Sequence, residues 1–269
     1  MQIALWSNEG KGSGTTTLTS VLATRLAANH NYKIFLTHCL TSDLSMESYL
    51  LKPSEHKQLT TLGESNVDGL FRLIKNGKLT KDTVKDYCFS LLAHSNLDFL
   101  TTRKGYELDE SFNINYGYLL YTARQFYDIA LIDLEIPFEH PLFHSVIKET
   151  DILVVVCPQN RYRLHQMTLM LEANRGSIEA SGTKIIYVIN KSNSQSETTK
   201  KVAFGKKKPF LIPYEPDILE NCNRGELVDF LLRHCYSRRK NSMSLFMDSV
   251  DSIIKEMLKL YEEVNENVI

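Results

Sequence analysis

No apolar run in this sequence reaches the roughly 18 residues that cross a bilayer, so no membrane-spanning segment is predicted. No cysteine pair stands at the C-x-x-C spacing of a zinc or redox site. Cys39, Cys88, Cys157, Cys222 and Cys235 are scattered, and Cys39 and Cys157 fall in apolar, strand-like contexts. That usage predicts buried free thiols in a reducing compartment and excludes a disulfide scaffold. Neither sign of charge is in excess. The 31 Lys and Arg balance 32 Asp and Glu, for a formal net charge of -1, which excludes a uniformly basic nucleic-acid binder. No internal repeat and no linker interrupts the chain. Its 269 residues, 43% of them hydrophobic, suffice for one large domain with a sizeable core, or at most two small ones. A strand-like run begins at once, without the regions of a secretory leader, so a cytoplasmic protein is expected.

What is present is a recurrence of short apolar runs with helical stretches between them. The runs are 2–6, 33–37, 98–101, 128–133, 151–157, 184–190 and 210–212. Segments such as IALID, ILVVV and IIYVI are apolar throughout rather than alternating. Strands of that kind are buried on both faces, as in a parallel sheet covered by helices. An α/β fold with a mostly parallel central sheet and helices on both faces is therefore predicted. Residues 54–86 read as a helical insert of two short helices, from the Leu70, Leu73, Ile74 spacing and the Asn76-Gly77 turn signal. A last helix is predicted over 242–263. Met243, Phe246, Met247, Val250, Ile253, Ile254, Met257 and Leu260 form its apolar stripe, and Asp248, Asp251, Glu256, Glu262 and Glu263 its acidic face. Membrane-surface helices carry a basic polar face, so this one is expected to pack on its own domain or on a partner.

The most informative stretch is Glu9-Gly10-Lys11-Gly12-Ser13-Gly14-Thr15-Thr16-Thr17. It lies between the first strand and a helix predicted over 16–28. That geometry aims backbone N–H groups and a helix N-terminus at a phosphate. Against the pattern G-x-x-x-x-G-K-[ST], Gly14 fills the second glycine and Thr16 the hydroxyl position. Thr15 replaces the lysine that grips the phosphates, and Glu9 replaces the first glycine. The plain alternative is a glycine-rich strand–helix turn without a ligand.

Taken together, these segments resemble the ParA/MinD branch of the P-loop ATPases, the deviant Walker A group, over about residues 1–260. Gly12, Gly14, Thr16 and Thr17 match that family's loop. Gly10 stands where the family has its signature lysine, which reaches a dimer partner's nucleotide, and Lys11 stands one position away. By strand register, His38 takes the place of an aspartate that positions the attacking water, Leu40 that of a second aspartate, and Asp43 is displaced. Asp133, ending the run Tyr127–Asp133, matches the Walker B aspartate that holds Mg²⁺ through water. Asn190 resembles the family's adenine-reading asparagine, and Pro213 and Tyr214 its segment against the adenine. The resemblance thus implies a single P-loop NTPase-type domain over 1–269, with Lys11, Gly12, Ser13, Gly14, Thr15, Thr16, Thr17, Asn190, Pro213 and Tyr214 at the nucleotide. It implies Thr16 and Asp133 at the metal, Asp133 and His38 as catalytic candidates, and ATP and Mg²⁺ as cofactors. An asparagine or aspartate at a strand end also serves as an ordinary turn residue.

A charged hydrogen bond to phosphate contributes about 1.5–3 kcal/mol. Without the loop lysine, ATP binding is expected to weaken roughly 10- to 100-fold. Loss of a donor aimed at transition-state charge costs about 10²–10³ in rate, so hydrolysis is expected to be negligible or very slow. The leading reading is a nucleotide-binding positioning or assembly factor. It would act as a homodimer, with protein partners in a membrane-associated complex, without inserting into the membrane itself. Relatives of that kind include the TadZ/CpaE group of tight-adherence (Flp-type) pilus systems. A slow partition ATPase is the second reading, binding nonspecific DNA through the basic segments 200–208 and 233–240; solvated charge is the plain account of those segments. A nucleotide-free interaction scaffold is the third.

Overall fold

A computed structural model describes residues 1–8, 12–39, 44–55, 66–92, 96–102, 105, 107–179, 181–193, 204, 207–234 and 241–266. Lys11, Leu40, Asp43, Lys200, Lys201, Lys206, Arg238, Arg239 and Lys240 lie outside the described residues, as do residues 56–65 of the expected insert. Eight strands form one sheet in the order β3-β4-β2-β5-β1-β6-β7-β8. They are β1 (Gln2–Trp6), β2 (Ile34–His38), β3 (Phe89–Ser90), β4 (Leu97–Phe99), β5 (Ile129–Leu134), β6 (Ile152–Pro158), β7 (Lys184–Ser192) and β8 (Phe210–Pro213). All pairings are parallel except β3 with β4. The chain is thus an α/β domain with a mostly parallel central sheet and helices on both faces. The two-residue strand β3 has no counterpart in the sequence reading, because two residues carry no periodicity. Its pairing is fixed instead by side chains. The buried Asp98 carboxylate accepts from Ser90 Oγ at 2.6 Å and from Tyr127 Oη at 2.8 Å.

The helices are α1 (Thr15–Asn29), α2 (Ser45–Leu50), α3 (Asn66–Lys75), α4 (Lys81–Asp86), α5 (Glu110–Ala123) and α6 (Pro141–Lys148). They continue with α7 (Arg161–Ala173), α8 (Arg175–Glu179), α9 (Pro216–Arg224), α10 (Leu227–His234) and α11 (Ser242–Glu266). Two apolar layers result. Residues of α1, α2, α9, α10 and α11 fill one face of the sheet, and residues of α3, α5, α6 and α7 the other. β1 is the hinge of this arrangement. All five of its residues are buried, Ile3 and Leu5 toward one layer and Ala4 and Trp6 toward the other. Fully enclosed Trp6 donates from its indole N–H to the Ile136 carbonyl at 2.8 Å. This satisfies a polar group that burial would otherwise penalise.

α1 is the most enclosed helix, with 12 of its 15 residues buried. Its hydroxyls are satisfied internally: Thr19, Ser20 and Thr24 donate to the carbonyls of Thr15, Thr16 and Ser20. α11 lies against it. Met243, Phe246, Met247, Val250, Ile253, Ile254 and Met257 of its stripe are buried in the core. Among the described residues no helix is long and apolar enough to cross a membrane.

One ion pair locks the two helices. Arg25, 7% exposed, meets Asp251 in a two-pronged bond of 2.8 and 2.7 Å. Charge-assisted bidentate pairs of this kind exceed ordinary surface pairs in strength. Asp251→Ala is expected to lower the unfolding free energy by about 1–2 kcal/mol, read as a lower urea midpoint at unchanged m-value.

Candidate functional site

The carboxyl ends of β1, β5, β6, β7 and β8 converge at one edge of the sheet, where β1 is flanked by β5 and β6. Crevices at such an edge are where open α/β sheets take ligands. A cavity of about 290 Å³ lies there. Residues 12–17 line it at the head of α1, with Asn190 and Lys191 from β7, Pro213 at the end of β8, and Tyr214 and Glu215 after it. Ser45 and Tyr49 of α2, Glu135 after β5, Ile218 and Leu219 of α9 and Phe246 of α11 complete the wall.

The loop is shaped by two glycines with left-handed backbone, Gly12 at φ 103° and Gly14 at φ 78°. Gly14 is the N-cap of α1. It offers no side chain to the helix end, and no acidic residue stands in the first turn. Neither a capping side chain nor a first-turn carboxylate therefore occupies the N-terminus of α1, and a helix end of that kind favours an anion. Gly14 is required for a second reason. A Cβ there would come within 2.4 Å of Asn190 Nδ2. Asn190 uses that closeness, because its amide donates to the carbonyls of Ser13 at 2.9 Å and Gly14 at 3.3 Å. Its Oδ1 in turn accepts the N–H of Lys191 at 2.9 Å. The asparagine that the sequence places at the adenine thus clamps the loop carbonyls.

Thr15 stands where the pattern has lysine, and it turns inward. Its hydroxyl and that of Ser13 lie 2.7 Å apart, and both side chains are buried. Thr16 and Thr17 line the cavity, as do Pro213 and Tyr214, the latter 52% exposed. Glu215 is 6% exposed, and its Oε2 has no hydrogen-bond partner among the described residues. A buried acceptor left so invites a ligand's hydroxyl or amino group.

The two catalytic candidates sit elsewhere. His38 ends β2, Asp133 is the last residue but one of the neighbouring β5, and the two are register partners. Both are fully buried, and neither lines the cavity. His38 Nε2 lies 2.8 Å from Glu47 Oε1 and 3.1 Å from Thr102 Oγ1, and Glu47 Oε1 also accepts the Thr102 N–H at 3.0 Å. The imidazole is thus a buried structural link from β2 to α2 and the end of β4. Among the described residues no cluster of three His, Cys, Asp or Glu side chains forms a metal site. Lys207, Lys208 and Arg233 of the basic segments are exposed; Lys207 Nζ donates to the Ile185 carbonyl at 3.2 Å.

Sequence reasoning missed Lys191, Glu215 and the α2, α9 and α11 side chains of the wall. Lys191 and Glu215 adjoin Asn190 and Tyr214 in sequence and were within reach. The helical side chains are set by packing alone and carried no signal.

No family model matches the sequence, and no curated protein matches it. Solved structures do match in fold. A ParA family ATPase from Chlorobium tepidum TLS superposes with a TM-score of 0.69 at 16% identity, over 93% of this chain and 96% of that one. MinD from Pyrococcus horikoshii OT3, complexed with Mg-ADP, gives 0.64 at 13% identity, over 96% of each chain. The MinC:MinD cell division complex of Aquifex aeolicus gives 0.63 at 15% identity, over 94% of this chain and 95% of that one. The chain therefore has the fold of the ParA/MinD ATPases.

Gly14→Ala combines backbone strain with a clash against Asn190, and is expected to cost about 1–3 kcal/mol, measured by thermal unfolding. Two thiols flank this region. Burial pushes Cys39 and Cys222 up to about 12, with a hydrogen bond from Tyr116 partly offsetting it at Cys39 and one from Thr17 at Cys222. Both stay protonated at neutral pH in the folded chain. Their contribution to stability is complete below the ordinary thiol value of 9.0 and is lost as pH rises from there toward 12. Iodoacetamide at pH 8 is expected to leave both unmodified until urea unfolds the chain, as read by peptide mass mapping.

Proposed function

We propose that the chain binds a nucleoside polyphosphate, ATP with Mg²⁺, at the head of α1, and that it works by conformation rather than turnover. One observation carries this reading. Three segments far apart in sequence, residues 12–17, 190–191 and 213–215, line a single cavity at a helix N-terminus that has no carboxylate in its first turn. A turn without a ligand would have no need of that convergence. The loop N–H groups would receive the phosphates, and Pro213 and Tyr214 would lie against the base. Glu215 Oε2 would accept from a ribose hydroxyl or a base amino group.

The residues present fit a metal brought in with the phosphates. Thr16 and Glu135 reach the cavity with oxygen ligands, the chemistry Mg²⁺ prefers, and Asp133 lies two residues before Glu135, near the end of β5. Bound there, Mg²⁺ would neutralise phosphate charge. Lys11 would stand at the same loop. Hydrolysis would be slow or absent, because Thr15 is turned into the loop and His38 is engaged by Glu47. The product of binding would then be a shape. A homodimer that recruits protein partners at a membrane-associated assembly, of the kind that positions pilus or secretion machinery, fits such a switch. The MinD neighbour from Aquifex aeolicus, seen with MinC, supports a protein partner.

Calorimetric titration of the purified protein with Mg-ATP tests the reading, with Thr16→Ala alongside. Binding in the range of tens to hundreds of micromolar is expected, at least tenfold weaker in Thr16→Ala, with nucleotide-dependent dimerisation in light scattering. No heat up to millimolar ATP would overturn it in favour of a nucleotide-free scaffold. Retention on DNA with measurable phosphate release would favour a partition ATPase.

A further inference from the structure

The phosphate loop lacks the lysine at position 15, yet a lysine stands over it, delivered from another strand. β7 and β8 pair at Ile189 with Leu211 and again at Ser192 with Pro213, so β7 spends one residue more than its partner between those points. This is a β-bulge, a device that re-aims a side chain beside a site. Within it Lys191 adopts φ 53°, the only left-handed non-glycine among the described residues. Lysine has no intrinsic preference for that conformation, so it persists only where the surroundings impose it. Here the Asn190 Oδ1 bond to the Lys191 N–H does so. The side chain then runs back across the loop. Its Cε passes 3.3 Å from where a Cβ on Gly14 would stand, and its Nζ donates to the Gly12 carbonyl at 3.2 Å.

We propose that Lys191 supplies the positive charge of the phosphate site, from the end of β7 rather than from the loop itself. The inference rests on the nucleotide reading above. Among the described residues lining the cavity, Lys191 is the one cation, beside two carboxylates, Glu135 and Glu215. A polyanionic ligand requires that balance to be reversed locally. An ammonium has three donors, and one is held by Gly12. The rest of the group is solvent-exposed, with two N–H groups left for the oxygens of a bound phosphate. The ligand class is therefore a nucleoside di- or triphosphate held by a lysine borrowed from the base-binding strand.

The competing account is that Lys191 merely pins the loop. Lys191→Met keeps the stem and removes the charge, Lys191→Arg keeps the charge, and Lys191→Gly relieves the left-handed strain. Each is titrated with Mg-ATP and Mg-ADP by calorimetry in about 50 mM and about 300 mM salt. The expected result is a roughly 10- to 100-fold loss for Lys191→Met at low salt, shrinking at high salt. Lys191→Arg should regain most of it. Lys191→Gly should melt at the wild-type temperature or a few degrees higher while binding as poorly as Lys191→Met. Equal affinities for wild type and Lys191→Met would overturn the proposal and leave the nucleotide site standing, as would a loss that salt does not change and arginine does not restore. Wild-type protein that binds neither nucleotide at millimolar concentration would overturn the nucleotide reading and this proposal with it.

Discussion

The amide of Asn190 holds the head of α1 to the end of β7, and the shape of the cavity follows from that contact. Two loop carbonyls, those of Ser13 and Gly14, accept from one side chain. The approach is possible because position 14 has no Cβ, and the positive φ there is one that glycine adopts without strain. The same asparagine, through Oδ1, fixes the backbone of Lys191. A single side chain thus holds two loop carbonyls and the backbone of Lys191, the one described cation lining the cavity. It can do so only because β7 is firmly placed, paired with β6 from Lys184 to Asn190.

That firmness comes from the sheet. β1, β5 and β6 are buried on both faces, and each strand end is fixed by its neighbours before any loop begins. Apolar burial of this extent is the dominant favourable term in a domain of this size. The polar groups caught inside are paired locally, such as Trp6 with Ile136 and Asp98 with Ser90 and Tyr127. The Arg25–Asp251 pair extends the constraint outward, holding α11 on α1 so that Phe246 reaches the cavity wall.

Much of this was legible in the sequence, for physical reasons. Unbroken runs such as IALID and ILVVV can only be central parallel strands, so the layers follow from them. The glycines at 12 and 14 announced a turn and a close approach, and both occur. The short strand β3 was not legible, because its pairing depends on the distant donors that satisfy Asp98. His38 could be placed at its strand end by register, but not its partner. Glu47 reaches it from α2, and nothing in the local pattern of either segment predicts that meeting. Lys191 was hidden differently. It adjoins Asn190 in sequence, but its course over the loop depends on the bulge, a property of two strands.

Thr15 shows why the charge would need to come from elsewhere. In a buried loop, a threonine hydroxyl that loses water must find a partner, and it finds Ser13 at 2.7 Å. That pairing stabilises the loop in its closed shape without any ligand, whereas a lysine at the same position would leave a cation to be compensated. The two hydroxyls thus satisfy each other, and on the reading proposed above the loop's affinity for anions would reside in backbone dipoles and in a cation that approaches from outside. Lys191 approaches across Gly14, from a strand that the base segment also abuts through β8. On the nucleotide reading proposed above, a site built this way would sense base and phosphate through one structural element. Occupancy would load β7 and β8 together, and the helices that follow β8 stand next in line to register it, α9 through Ile218 and Leu219 and α11 through Phe246.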